Sequence, residues 1–227
     1  MTNKTSPSTS VVIAVYNGEK YIKESIESVL NQTQPPSEII VVDDGSTDTT
    51  AEIVKTLPIR YFYQQNSGQS AATNYGIAQS TGDYLAFNDA DDLWEPNKLK
   101  WQHEAFTNVP ELDAVFGLLK QFICPQLSTE TASKIHCPKE PMNGYCKQTM
   151  MIRKSSLEQI GLFNVDTQIG DFIEWYALAK RKGFQSNMIP KVITNRRLHT
   201  RNMSVKKKDQ RNEFAQILKR HLDAQKR

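Results

Sequence analysis

Three carboxylates fall within four residues at Asp89-Ala90-Asp91-Asp92. Like charges this close repel, and a divalent cation among them relieves the cost. Magnesium and manganese favour oxygen ligands, and magnesium commonly takes one or two carboxylates together with substrate phosphates. A metal–diphosphate site is one reading; an acidic first turn that stabilises the following helix is the other. A second pair, Asp43-Asp44, opens the run Asp-Gly-Ser-Thr-Asp. Its carboxylates can accept hydrogen bonds from a nucleobase or ribose, or cap a helix. Tyr16-Asn17-Gly18 can stack on and bond to a base, or form a plain strand-to-helix turn. These loops hold no GxGxxG and no GxxxxGK[ST]. That disfavours a dinucleotide oxidoreductase and a P-loop ATPase.

Each cluster sits at the end of a β-branched or apolar run. Ser10–Val15, Ile39–Val42 and Tyr84–Phe87 read as buried strands, and Ile59–Tyr63 as a further one. Helices are expected over Glu19–Asn31, from Ser46 or Thr47 through Ile53 to about Thr56, over Gln69–Gln79 and over Pro96–Phe106. Four strand–helix alternations argue for an α/β fold with a mostly parallel sheet, in which ligands bind where strands end. The second half is less regular. Ala114–Leu119, Gln148–Ile152 and Ile189–Thr194 are expected strands, Ser155–Ile160 and Glu174–Lys182 expected helices. Gln121–Met142 reads as a loop-rich insertion. Residues 1–9 read as a disordered leader, 10–205 as one domain, and 206–227 as a basic amphipathic helix.

The 227 residues, 38% apolar and 23% charged, suit a single soluble domain with a sizeable core. No apolar run is long enough to span a bilayer, and the N-terminus lacks a signal core, so the expected location is cytoplasmic. Cys124, Cys137 and Cys146 are odd in number and form no CxxC pair. They read as reduced thiols, and His136 beside Cys137 matches no standard zinc spacing. The net charge of +3 is uneven: residues 206–227 carry eight Lys/Arg and three Asp/Glu. Such a tail is a solvated helix or a peripheral contact with anionic lipid at the inner membrane face. No nucleic-acid partner is expected.

Four segments together carry a resemblance: Val11–Ile22 (VVIAVYNGEKYI), Ile39–Asp48 (IIVVDDGSTD), Gly68–Ala72 (GQSAA) and Asp89–Trp94 (DADDLW). They are similar, in the same order, to family 2 glycosyltransferases. The likeness is close from Ser10 to Trp101 and looser up to Arg196-Arg-Leu-His-Thr-Arg-Asn202. It implies the GT-A (Rossmann-like) fold and inverting transfer from a nucleotide-diphosphate sugar, a UDP-sugar first, with Mn2+ or Mg2+ as cofactor. Tyr16 and Asp44 would contact the nucleoside, with Asn17 and Asp43 nearby. Asp91 would bind the metal with Asp89 in support, and His199 would approach the metal or diphosphate. Arg196, Arg197 and Arg201 suit bidentate phosphate binding. The acceptor is a hydroxyl of a saccharide, a lipid-linked saccharide or a small molecule, with Gln121–Tyr145 as the expected source of its specificity.

Two positions depart from the family pattern. Its Glu-Asp pair at the start of a helix, with Asp as base, is replaced by Gly170-Asp-Phe-Ile-Glu-Trp175, where strict alignment puts Phe172 at the base position. Asp171 and Glu174, three apart, can share one helix face, and these are the candidate bases, Asp171 first. Thr73 stands where many relatives carry a nucleotide-holding arginine. Trp94 and Trp175 suit sugar stacking or core packing. Two other functions compete: a catalytically impaired nucleotide-sugar-binding protein of this fold, and a nucleotidyltransferase.

Overall fold

A computed structural model describes residues 7–167 and 170–202. The leader (apart from residues 7–9) and the basic tail lie outside the described residues. In chain order the elements are β1 (Thr9–Val15), α1 (Ile22–Leu30), β2 (Glu38–Asp43), α2 (Thr50–Val54), β3 (Arg60–Tyr63), α3 (Gln69–Gln79), β4 (Tyr84–Asp89), β5 (Leu93–Trp94), α4 (Lys98–Asn108) and β6 (Ala114–Ile123). There follow α5 (Thr129–Ser133), β7 (Met142–Asn143), a 3-10 turn (Lys147–Thr149), β8 (Met151–Arg153), α6 (Lys154–Ile160), α7 (Asp171–Arg181) and β9 (Ser186–Leu198).

The strands form one sheet in the order β3-β2-β1-β4-β8-β6-β9-β5, with β7 on β6. β3, β2, β1 and β4 are mutually parallel, as expected of strands joined by helical crossovers. β8 runs antiparallel to β4 and β6, while β9 is parallel to β6. The parallel strands are near-continuous apolar runs because both faces are covered. Val11, Ile13 and Val41 pack with α1 residues Ile22, Ile26 and Val29 on one side. Val12, Leu85 and Phe87 pack with Leu157, Phe172 and Trp175 of α6 and α7 on the other.

The first half follows the expectation closely, although α1 starts at Ile22 and α4 at Lys98, each later than expected. The second half differs more. Expected strand Gln148–Ile152 is split into the 3-10 turn and β8. The insertion is shorter than Gln121–Met142, because β6 runs on to Ile123 and Met142 pairs with Leu119. β9 is much longer than Ile189–Thr194. Its pairing jumps from Gly117↔Ile189 to Leu118↔Val192, so Pro190 and Lys191 bulge out of the ladder. Proline has no N–H to offer a ladder, and the bulge accommodates it. α7 begins at Asp171 rather than Glu174.

Helix α3 approaches the sheet at Gly76, where a Cβ would meet Val12 Cγ1 at 2.4 Å. That close seat carries the first turn of α3 to the strand ends where the acidic clusters lie.

Candidate active site

The parallel register sets Val15 beside Asp43 and Ala14 beside Asp89. All three polar clusters therefore emerge from one rim of the sheet. They open into a cavity of about 640 Å³ whose walls include Tyr16, Asp44, Gln69, Asp91 and His199.

At the end formed by β1 and β2, Tyr16 is 54% exposed and free to lie against a flat ligand. Asn17 adopts a left-handed conformation (φ 52°), which asparagine tolerates better than most residues. It ties the two loops together: its amide donates to Ser46 Oγ, and its Oδ1 accepts from the Thr47 amide, both bonds near 2.8–2.9 Å. Asp43 is wholly buried and accepts from the Ser46 amide (2.8 Å) and Tyr61 Oη (2.9 Å). It shapes the loop and does not line the cavity. Asp44 does line it, and accepts from Gln64 Nε2 and the Ser67 and Gly68 amides at 2.7–2.8 Å. Gly68 reaches that bond with φ 93°, a backbone that favours glycine.

At the β4 end, ligand oxygens of Asp89, Asp91 and Asp92 lie within 4.8 Å of one another. Burial, then the Asp91 charge, pushes the Asp89 carboxyl up to about 6, against the pull of Lys147 and Arg196. Burial, then Asp89 and Asp91, raises Asp92 well above the usual carboxylate range. Asp92 Oδ1 accepts from the Arg197 amide, but its buried Oδ2 has no partner. Buried polar atoms left unpartnered are costly. Three clustered carboxylates, one with an orphaned oxygen, are all oxygen ligands and fit a hard divalent cation. Gln69 Nε2 donates to Asp89 Oδ1 at 3.3 Å.

His199 and Asn202 reach this cluster from the C-terminal end of β9. His199 Nε2 lies 2.8 Å from Asp91 Oδ2, and Asn202 Nδ2 donates to the same oxygen at 3.1 Å. Tyr21 stacks on the imidazole at 4.7 Å. The expectation for Arg197 is corrected. Its side chain is 2% exposed, donates to Glu24 and the Asp91 carbonyl, and lies against the rings of Tyr21 and Phe122. It braces the site from behind, while Arg196 and Arg201 face the cavity. Alternation along β9 sends neighbouring arginines to opposite faces.

The two candidate bases part company. Asp171 Oδ2 accepts from Lys147 Nζ (2.6 Å) and Ser70 Oγ (2.7 Å), and its charge is felt at Asp89. Glu174 instead accepts from Thr167 Oγ1 and Asn164 Nδ2. Phe172 is buried in the core against Tyr176. Thr73 is buried too, and its hydroxyl donates to the Gln69 carbonyl. Trp94 and Trp175 are 4% and 3% exposed and belong to the core. Cys124, Cys137 and Cys146 are free, and among the described residues the acidic trio is the one cluster suited to a metal. Gln69, Lys147 and Asn202 escape sequence reasoning. Gln69 lies inside a family-like segment, but Lys147 carries no local signal at all.

Fold and site together define an α/β protein whose mostly parallel sheet gathers three acidic side chains at one cavity. The family model for glycosyl transferase family 2 matches residues 10–186, and the chain belongs to that family. A Bacillus subtilis strain 168 glycosyltransferase attributed to teichuronic acid biosynthesis, TuaG, is 32% identical over 214 residues, covering 88% of this chain and 83% of TuaG. A Rickettsia typhi glycosyltransferase, RT0329, is 42% identical over 115 residues, half of this chain and 36% of its own length. Several other relatives are likewise spanned for about a third of their length or less. Among solved structures, S. aureus TarS superposes with a TM-score of 0.68 at 24% identity, covering 85% of this chain and 37% of TarS. A shorter TarS crystallised with UDP-GlcNAc gives 0.66 at 23% identity, covering 85% of this chain and 59% of that one. The fold is the GT-A fold. No helix among the described residues is long and apolar enough to cross a membrane.

Proposed function

We propose that this chain transfers a sugar from a nucleoside diphosphate sugar, a UDP-sugar first, to an acceptor hydroxyl, with inversion and with bound Mn2+ or Mg2+. The observation that carries the reading is the carboxylate trio with its orphaned Asp92 oxygen, facing one cavity with Tyr16 and Asp44. TarS bound to UDP and UDP-GlcNAc supports the choice of UDP. TuaG supports a glycan acceptor.

In this reading Tyr16 stacks on the base, while Asp44, held by Gln64, Ser67 and Gly68, meets the nucleoside, with Asn17 and Asp43 shaping the adjoining loop. Asp91 and Asp89 would hold the cation, with Asp92 beside them and His199 fixing Asp91. When bound there, a divalent cation would supply positive charge to offset that of the departing diphosphate. Arg196 and Arg201 flank the phosphates. Asp171 takes the acceptor's proton as the acceptor oxygen bonds to the anomeric carbon. The bond from that carbon to the β-phosphate oxygen breaks, and its electron pair leaves with the diphosphate. One such displacement inverts the centre. Asp171 is favoured over Glu174 because it is bonded to Ser70, the chain neighbour of cavity-lining Gln69, whereas Glu174 is bonded to Asn164 and Thr167. Residues 10–205 form the transferase unit. The basic residues 206–227 suit contact with an anionic membrane on the cytoplasmic side.

The test is nucleotide release from UDP-, GDP- and dTDP-sugars, with and without Mn2+, in wild type and Asp91→Ala. Metal-dependent release that Asp91→Ala abolishes is expected. Donor binding without turnover for any acceptor, water included, favours the impaired binding protein. Pyrophosphate release from nucleoside triphosphates favours a nucleotidyltransferase.

A further inference from the structure

Three consecutive residues at the start of α3 each hold a different carboxylate. The Gly68 amide donates to Asp44 Oδ2 at 2.8 Å, Gln69 Nε2 to Asp89 Oδ1 at 3.3 Å, and Ser70 Oγ to Asp171 Oδ2 at 2.7 Å. The third bond joins α3 to the first residue of α7, 101 residues further along the chain. Lys147 adds a second donor to that same Oδ2 from the 3-10 turn, at 2.6 Å. Both side chains of this ion pair are largely withdrawn from water, at 10% and 15% exposure. The ammonium is further held 5.0 Å from the Phe163 ring centroid. No described residue donates to Asp171 Oδ1.

We infer that Ser70 and Lys147 are positioning residues: they clamp Asp171 Oδ2, fix the carboxylate plane, and leave Oδ1 as the atom that receives the acceptor's proton. The inference rests on reading Asp171 as the base. A carboxylate that rotates freely presents its proton-accepting lone pair only part of the time. One fixed by two donors on one oxygen presents it continuously, the kind of alignment that lowers a barrier. Lys147 also offsets charge between two acidic groups, since it acts on Asp89 as well as Asp171. The side chains bonded to the Asp171 carboxylate are Lys147 from the 3-10 turn and Ser70 from α3. Glu174, on its own helix, is turned to Asn164 and Thr167.

The experiment measures release of the nucleoside diphosphate (UDP, GDP or dTDP) from a panel of UDP-, GDP- and dTDP-sugars at saturating Mn2+ with water as acceptor, and donor binding by calorimetry. It compares wild type, Asp171→Asn, Lys147→Met, Lys147→Arg and Ser70→Ala. Asp171→Asn is expected to abolish turnover while binding donor. Lys147→Met is expected to lower kcat about 10- to 100-fold, with donor KM changed less than about twofold. Lys147→Arg, which keeps the cation, should restore most of the rate. Ser70→Ala, which leaves the charges in place, should lower kcat in the same sense and carries the test if Lys147→Met does not fold. If Asp171→Asn is inactive while Lys147→Met and Ser70→Ala keep wild-type kcat, the clamp is overturned and the base reading stands. Full activity in Asp171→Asn, or no wild-type turnover on the whole panel, removes the base reading and the clamp with it.

Discussion

His199 and Asp91 are 108 residues apart in the chain and 2.8 Å apart in space, with the imidazole held flat against Tyr21. This contact closes the site: it fastens the end of β9 to the loop after β4. Asn202 reinforces it, donating to the same Asp91 oxygen. Replacing His199 with Ala should lower Mn2+ affinity by about 10- to 100-fold, the usual cost of losing a residue that orients a metal ligand. Isothermal titration with Mn2+ alone checks this, and unchanged affinity would detach His199 from the cation site.

The acidic trio sets how stability responds to pH. Asp89 has its folded pKa raised to about 6 against an ordinary 3.8, chiefly by burial. The folded protein therefore binds more protons than the unfolded chain between those values, and metal-free stability falls as pH rises through that window. The loss should be on the order of 1–3 kcal/mol. Thermal melts of wild type against Asp89→Asn at pH 4.5 and 7.5 measure it. Added Mn2+ should raise the wild-type melting temperature at pH 7.5 and leave the variant little changed.

Glu38 behaves oppositely. Burial alone would raise its carboxyl, but bonds from Ser10 Oγ, the Thr81 amide, Arg60 and the Thr81 hydroxyl outweigh it and hold the group down to about 2. Its stabilisation is present above an unfolded value of 4.5 and is lost as pH falls toward 2. Glu38→Gln should cost about 1–3 kcal/mol at pH 7 and much less at pH 3. Urea denaturation at the two pH values reads the difference.

Lys98 is buried completely, and that burial lowers its ammonium to about 7. Its Nζ sits 4.5 Å from the Trp94 ring centroid and donates to the Gln148 carbonyl. Thr194 Oγ1 donates to that carbonyl as well, so Lys98→Met leaves no orphan acceptor. The unfolded chain binds the extra proton between pH 7 and 10.5, so wild-type stability rises across that interval. Lys98→Met should be as stable as wild type or more so by up to about 1–2 kcal/mol at pH 6, with the gap closing at pH 9. Denaturation at both pH values decides it.

Much of this design is legible in the chain. β-branched runs that end in Tyr16-Asn17, Asp43-Asp44 and Asp89–Asp92 announce a parallel sheet with polar loops on one rim, because strand and helix periodicity are local properties. The long β9 is less visible, since Pro190 and its charged neighbours interrupt the pattern that the bulge rescues. Asp171 and Glu174 look equivalent as letters three apart on one helix, yet only Asp171 meets Ser70 and Lys147.

From its sequence alone, the protein's α/β class, its family resemblance and the identity of its acidic clusters are determined, since each depends on residues near one another in the chain. Tertiary structure alone decides that Arg197 turns to Glu24, that Lys147 meets Asp171, and that Asp92 keeps one oxygen without a partner. Those outcomes depend on side-chain direction and on contacts between residues far apart in sequence. Such contacts exist only once the strands have paired and the helices have packed against them.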